Sequence, residues 1–121
     1  MSVQMFFNAY VEAALWSSTD ETNENGGEPL DKNYSELDLT EQCQGKMLED
    51  CQKFYDAHSI KWLDDAGAGH DFWLTRNGYG EGFSSRKPSV YGEHAKELYE
   101  AAKAFSAVYL YVTDSGEIDC G

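Results

Sequence analysis

Residues 66–83 constrain the fold of this 121-residue chain more than any other stretch, and they read AGAGHDFWLTRNGYGEGF. The segment holds five glycines and leads, through side chains that alternate in character, into Asn77-Gly78. Those alternating residues are Phe72, Trp73, Leu74 and Thr75. Alternation is typical of a β-strand, and Asn-Gly supplies the two positive-φ positions of a tight type I′ turn. The pattern therefore predicts a β-hairpin.

The outgoing arm of the predicted hairpin carries glycine at alternate positions, Gly80 and Gly82. One face of this arm would have almost no side chains, so another part of the molecule can lie close to its backbone. We expect that neighbour to be a helix of the same protein rather than a ligand.

The run from His70 to Gly78, followed by Gly80 and Gly82-Phe83, resembles the signature box of small phage-encoded proteins of unassigned function. The likeness extends more loosely over residues 34–114. That family has a second histidine in the position of Tyr79, and an aromatic-acid-arginine run where this chain has Ser84-Ser85-Arg86. We interpret the box as structural, and its polar and turn residues are His70, Asp71, Trp73, Arg76, Asn77 and Gly78.

The charge of the chain is its most unusual compositional property. Its 22 acidic and 9 basic residues give a formal net charge of −13. Such a charge opposes binding to nucleic acid or to an anionic membrane, so any partner should be basic. Two of the few basic residues, Arg86 and Lys87, lie in a predicted turn and are candidates for an internal salt bridge or for contact with an acidic neighbour.

The apolar content is sufficient for one domain spanning residues 1–121. With 41% hydrophobic and 14% aromatic residues, the chain can form a core without metal or disulfide support. No apolar run approaches the roughly 18 residues that span a bilayer, and the N-terminus lacks the basic region of a signal peptide. We therefore expect a cytoplasmic protein. Its oligomeric state stays open.

The three cysteines are expected to be reduced thiols. Cys43 and Cys51 lie two helical turns apart, which is too far for a bridge within one straight helix. With Cys120 the number is odd, and reduced thiols are the simplest account.

Hydrophobic periodicity predicts three helices, over residues 5–16, 40–58 and 90–106. The second is the clearest, because Thr40 is a good N-cap and one face is apolar. That face comprises Cys43, Met47, Cys51, Phe54 and His58. Residues 107–113 and 118–120 have the pattern of a closing hairpin. The predicted fold class is therefore α+β, with about three helices packed on a small antiparallel sheet built from β-hairpins.

Residues 20–32 have no periodicity and are predicted to form an acidic loop or a partly disordered insert. They resemble a calcium loop only superficially. Asn25 occupies the position of its turn glycine, and Asp31 that of its bidentate glutamate. We expect neither a metal nor a cofactor.

The acidic residues are concentrated in residues 1–65, which hold fourteen of them against four basic residues. Carboxylates arranged like phosphates can occupy a basic nucleic-acid groove, since duplex DNA carries one charge per about 1.7 Å of axis. The resemblance to phage proteins implies inhibitors of the anti-CRISPR or anti-restriction class. The candidate partner-binding residues are Asp20, Glu21, Glu24, Glu28, Asp31, Glu36, Asp38, Glu41, Glu49, Asp50, Asp56, Asp64 and Asp65.

Two alternatives to such a nucleic-acid mimic stay open. The charge can be merely solubilising, on a structural or regulatory interaction module. A small enzyme using His70, Asp71 and Arg76 is the other alternative. Adjacent residues on a strand point to opposite faces, so the predicted hairpin would separate His70 from Asp71. We therefore predict that the protein is not an enzyme.

Overall fold

A computed structural model of the protein describes residues 3–20, 27–62, 64–79, 82–84, 86 and 88–120. Four of the helices in this part of the chain have nine or more residues, and a fifth is a single turn. The helices are α1 (Val3–Ser17), α2 (Glu41–His58), α3 (Asp65–Arg76), α4 (Pro88–Tyr91) and α5 (Ala95–Lys103). Short 3-10 turns are Leu30–Lys32, Glu36–Asp38, Ser59–Lys61 and Gly92–His94.

The strands form two separate antiparallel sheets of two strands each. Their members are β1 (Thr19–Asp20) with β2 (Glu28–Pro29), and β3 (Leu110–Val112) with β4 (Ile118–Cys120). The α+β class is thus confirmed, and so is the closing hairpin, although its first strand is shorter than predicted. The predicted arrangement of about three helices on one sheet is wrong in its detail, because two separate sheets form and the number of helices differs. Residues 27–32 of the expected acidic insert take up β2 and a 3-10 turn, while 21–26 lie outside the described residues.

Helix α2 matches its prediction closely. The Thr40 side chain accepts a hydrogen bond from the Cys43 backbone N–H at 3.1 Å, which is N-cap geometry. Four of the five expected apolar positions are buried, whereas His58 at the helix end is half-buried. The clear separation of an apolar from a polar face explains why periodicity alone identified this helix.

The predicted hairpin at residues 66–83 is wrong, because its first half is helix α3. Every side chain from Asp71 to Arg76 is buried, so this part of the helix has no polar face and shows no helical periodicity. Asn77 is the C-cap, and Gly78, at φ +77°, ends the helix. The Asn-Gly pair therefore terminates a helix here instead of closing a hairpin.

Glycine allows helices α1 and α3 to approach through their backbones. A Cβ atom on Gly69 would lie 2.0 Å from the carbonyl oxygen of Phe6. The close approach expected at Gly82 is confirmed, since a Cβ there would lie 2.2 Å from Thr75 Oγ1, and its φ is +122°. The neighbour is α3, the helix that replaced the incoming strand. Gly80 lies outside the described residues.

The core is a cluster of aromatic rings contributed by α1, α2 and α3. Phe54 and Phe72 stack with centroids 4.2 Å apart, and Phe6 stacks on Trp62 at 5.4 Å. All four side chains are buried. Aromatic pairs in such offset or edge geometries add to the free energy of burial, so this cluster fixes how the three helices pack.

A disulfide joins Cys43 to Cys120, with their Cα atoms 5.5 Å apart. The expectation of three reduced thiols is therefore wrong, and only Cys51 is free. Strand β4 brings the two cysteines together, because the Thr40 N–H donates to the Ile118 carbonyl at 2.8 Å. The bridge spans 77 residues of sequence, so spacing within α2 gave no sign of it.

None of the helices among the described residues is both long enough and apolar enough to cross a membrane.

We expect Gly69→Ala to destabilise the protein by about 2 kcal/mol, because the added methyl group collides with the Phe6 carbonyl. Gly45→Ala is the matched control. Its Cβ would meet nothing within 4 Å on the exposed face of α2, so alanine should stabilise that helix by about 0.5–1 kcal/mol. Urea unfolding measures both. A Gly69→Ala variant as stable as the parent would refute the backbone contact.

The disulfide predicts the number of reactive thiols. Unfolding without reductant should expose one thiol, that of Cys51, and unfolding with reductant should expose all three. Burial raises the pKa of the Cys51 thiol, so even this group should react slowly in the folded protein. Cys120→Ser is the control and should release a second thiol without reductant. Three thiols in the unreduced parent would contradict the bridge.

Candidate functional site

A buried carboxylate on α3, that of Asp71, accepts hydrogen bonds from several polar side chains. The Asp71 side chain is 2% exposed and accepts hydrogen bonds from Arg86 Nε at 3.1 and 3.0 Å. Arg86 Nη2 is a further donor, 2.5 Å from Asp71 Oδ1, and the Tyr91 hydroxyl donates to Asp71 Oδ2. The internal salt bridge expected for Arg86 is therefore formed, and its partner is Asp71.

Contacts made by the chain after α3 position Arg86 and Tyr91 beside this carboxylate. The Phe83 N–H donates to Thr75 Oγ1 at 3.1 Å, and the Phe83 side chain is buried. The edge of its ring meets Tyr91, with the centroids 5.1 Å apart. Thr75 and Phe83 thus hold the chain against α3, so that the two donors reach Asp71.

A cavity of about 380 Å³ lies beside this cluster. Its volume falls at the lower end of the range of roughly 300–1,000 Å³ for small-molecule sites. The residues that line it are Trp62, Asp64, Gly67, His70, Asp71, Arg86, Val90 and Tyr91.

Two of the polar groups that line the cavity are hydrogen-bonded to each other. Burial raises the pKa of Tyr91, and the hydrogen bond and charge of Asp71 raise it further, so the phenol stays protonated as a donor. Asp71 already accepts from Arg86 and Tyr91 and has little capacity left to act as a base. The lining residues that the structure describes include no serine, threonine or cysteine.

His70 and Asp71 are closer than the predicted strand allowed. On the helix, His70 Nδ1 lies 3.5 Å from Asp71 Oδ1, the outer limit of a hydrogen bond. The His70 side chain is 38% exposed, and its ring lies 6.0 Å from that of Trp16. The argument that opposite strand faces separate the pair is therefore wrong, although the contact is a weak one.

Arg76 belongs to a different place in the molecule. Its side chain is 3% exposed, and Nη1 donates to Asp50 Oδ2 at 2.9 Å and to the Tyr10 hydroxyl at 3.1 Å. Nε and Nη2 donate to the Ser106 carbonyl at 3.0 and 2.7 Å. Arg76 does not line the cavity, so an enzyme site of His70, Asp71 and Arg76 is not assembled. The arginine that contacts Asp71 is Arg86, and not Arg76 as this hypothesis required.

The other box residues join α3 to its neighbours. Trp73 Nε1 donates to Ser17 Oγ at 2.7 Å. The Asn77 side chain donates to the Trp73 carbonyl at 2.9 Å and accepts from the Val108 N–H at 2.8 Å. Gly78 provides the positive φ that follows.

Several of the predicted partner-binding carboxylates take part in internal contacts. Asp20 is buried, Asp38 caps a 3-10 turn by accepting from the Ser35 N–H, and Asp65 accepts from Trp62 Nε1 at 2.8 Å. Glu28 pairs with Lys32 at 2.6 Å, and Asp50 with Arg76. Glu21 and Glu24 lie outside the described residues. The exposed members that remain are Asp31, Glu36, Glu41, Glu49, Asp56 and Asp64.

Three of these exposed carboxylates follow one stripe on α2, opposite its buried face. Glu41, Glu49 and Asp56 are eight and seven residues apart, which corresponds to about 12 and 10 Å along a helix. Of these three, Glu49 alone has a cation nearby among the described residues, at 3.7 Å from Lys53, and both side chains are 66% exposed. We name Glu41, Glu49 and Asp56 the α2 stripe.

One group among the described residues has metal-ligand spacing, and it contains Cys43, Asp119 and Cys120. Its two sulfur atoms are joined in the disulfide, so neither is a thiolate that can bind a metal. Asp119 Oδ1 accepts from Thr40 Oγ1 at 2.9 Å instead.

The sequence interpretation missed the cavity. Tyr91 has the spacing of a core residue, and Trp62 belongs to a short apolar run without a motif. The only available signal was Arg86, a basic residue in an acidic chain, which indicated a buried or nearby carboxylate.

Comparison with protein-family models, with curated proteins and with solved structures finds no match to this chain. The likeness of the box to phage proteins stays a prediction, and the argument for function comes from the residues themselves.

We expect Asp50→Ala to destabilise the protein by about 3 kcal/mol, since it leaves the buried Arg76 guanidinium without its carboxylate. Asp56→Ala removes a carboxylate from the exposed face of the same helix and should cost less than about 0.5 kcal/mol. Chemical denaturation of the two variants tests the difference. Equal stabilities would show that the Asp50 pair contributes nothing to the fold.

Proposed function

We propose that the protein binds a basic partner that itself binds nucleic acid, and that it blocks the partner's access to nucleic acid. The observation that supports this best is the α2 stripe, since Glu41, Glu49 and Asp56 are exposed and have no buried role. The net charge of −13 steers a basic protein toward such a surface.

The spacing of the α2 stripe defines how the contact works. Its carboxylates are about 11 Å apart on average, whereas duplex DNA presents a charge every 1.7 Å or so. The helix therefore replaces individual phosphates by pairing with separate lysine or arginine side chains, and it does not reproduce a whole duplex. A complex of this kind weakens as salt rises.

Two further considerations favour an inhibitor over an enzyme. The Asp71 carboxylate in the cavity wall already accepts hydrogen bonds from Arg86 and Tyr91, and the described lining residues include no serine, threonine or cysteine. The resemblance of the box to phage-encoded proteins implies the anti-CRISPR or anti-restriction class of inhibitor. The target is accordingly a nucleic-acid-binding defence factor of a bacterial host.

In the competing account, the negative charge only keeps the protein soluble, and the positions of the carboxylates on its surface do not matter. Under that account, any exposed carboxylate is equivalent to any other. A comparison of two variants with the same net charge but different reversal sites therefore separates the two accounts.

We predict that reversal of the α2 stripe with Glu41→Lys, Glu49→Lys and Asp56→Lys weakens partner binding by about 10- to 100-fold. The control variant carries Glu93→Lys, Glu100→Lys and Asp114→Lys, which reverses the same number of exposed carboxylates elsewhere. The partner is first captured from host lysate at low salt and eluted at high salt. Binding of both variants to the purified partner is then measured, together with competition by duplex DNA.

The control variant should keep the parent affinity, and duplex DNA should displace the parent protein. Equal losses in both variants would favour a general charge effect. A partner that binds DNA and the protein simultaneously would refute the blocking mechanism.

A further inference from the structure

The cavity beside Asp71 has two aromatic walls. Trp62 and Tyr91 both line it, and both side chains are largely buried, at 6% and 5% exposure. Val90 adds an aliphatic surface at the opening, where it is exposed. Aromatic rings attract cations through their faces, and the attraction is strongest where water is excluded.

The charges in the cavity wall do not cancel. The Asp71 carboxylate and the Arg86 guanidinium neutralise each other through three hydrogen bonds. Asp64 is the remaining carboxylate, and it forms no ion pair with any residue that the structure describes. Among the described residues of the wall, Asp64 is therefore the one carboxylate or guanidinium group without an oppositely charged partner.

Asp64 occupies the N-cap position of α3, but its side chain does not form the usual capping hydrogen bond. Its Oδ2 atom lies instead 2.8 Å from the place where a Cβ on Gly67 would be. The missing side chain at Gly67 therefore leaves room for the carboxylate along the cavity wall.

From this arrangement we infer that the cavity binds an alkylguanidinium or alkylammonium group of the size of an arginine or lysine side chain. The cationic head pairs with Asp64, and the alkyl stem lies against Trp62 and Tyr91. The wall favours positive charge because Asp64, a carboxylate, is its one charged group without an ion-pair partner among the residues that the structure describes. This inference does not depend on the α2 stripe, which lies on another helix.

The test uses N-butylguanidinium and its neutral isostere N-butylurea as probes. Each is titrated into ¹⁵N-labelled protein while the indole N–H resonance of Trp62 is followed. That N–H donates to Asp65, so its chemical shift reports on the cavity wall. We expect saturable shifts with N-butylguanidinium, with a Kd on the order of 1 mM. N-butylurea should bind at least about tenfold more weakly. Equal binding of the two probes, or no shift with N-butylguanidinium at tens of millimolar, would overturn the inference.

A pair of variants tests the role assigned to Asp64. Asp64→Asn keeps the shape of the side chain and breaks no hydrogen bond of the fold, and it should weaken N-butylguanidinium binding about tenfold. Asp114→Asn removes the same charge from the exposed turn between β3 and β4 and should leave the Kd unchanged. An Asp64→Asn variant that binds as tightly as the parent would contradict the inference.

The source of the cation is settled by a third probe, the capped tripeptide acetyl-Gly-Arg-Gly-amide. If the tripeptide binds as tightly as N-butylguanidinium, the cavity accepts a side chain from a protein. If N-butylguanidinium binds and the tripeptide does not, the ligand is a free small molecule. Both results support the inferred chemistry, and neither depends on whether the α2 stripe binds a partner. Tighter binding of butyrate than of N-butylguanidinium would assign the cavity to anions instead.

Discussion

The arrangement of the helices depends on the hydrogen bonds made by the buried guanidinium group of Arg76. It donates to Asp50 on α2, to Tyr10 on α1 and to the Ser106 carbonyl before β3. Its Cζ atom also lies 5.5 Å from the centroid of the Phe72 ring. A buried charge is tolerated only when its donors are satisfied, so these elements must meet at the end of α3. The same helix presents Asp71, more than one turn earlier, to a different set of partners.

Helix α3 illustrates what the sequence can and cannot predict. Periodicity located α1 and α2 well, because each has a solvent face that distinguishes it from the core. In α3 all residues from Asp71 to Arg76 are buried, so the pattern that identifies an amphipathic helix is absent. The charged members of that run, Asp71 and Arg76, are buried because each finds an ion-pair partner in a distant element. Local sequence contains no information about those partners.

The candidate sites show the same limit. The sequence indicated an internal ion pair for Arg86, and helical spacing identified the buried face of α2. The cavity did not follow, because Tyr91 is far along the sequence from Trp62 and Asp64, and only the packing of the chain against α3 brings them together. The disulfide was missed for the same reason, since Cys43 and Cys120 meet through the pairing of β4 with the start of α2.

Position, and not total charge, decides what the acidic residues can do. Asp20 and Asp50 are wholly or largely withdrawn from solvent, and Asp38 and Asp65 hold local turns through hydrogen bonds. These carboxylates contribute to the net charge, yet a partner cannot form ion pairs with them unless internal contacts break. The α2 stripe keeps its charge in water, where each ion pair is weak and several are needed. Asp64 is a single exposed charge in a cavity wall that also contains two largely buried aromatic rings. The two proposals thus differ in how a cation is recognised, by several exposed carboxylates on α2 or by one carboxylate beside aromatic rings in the cavity wall.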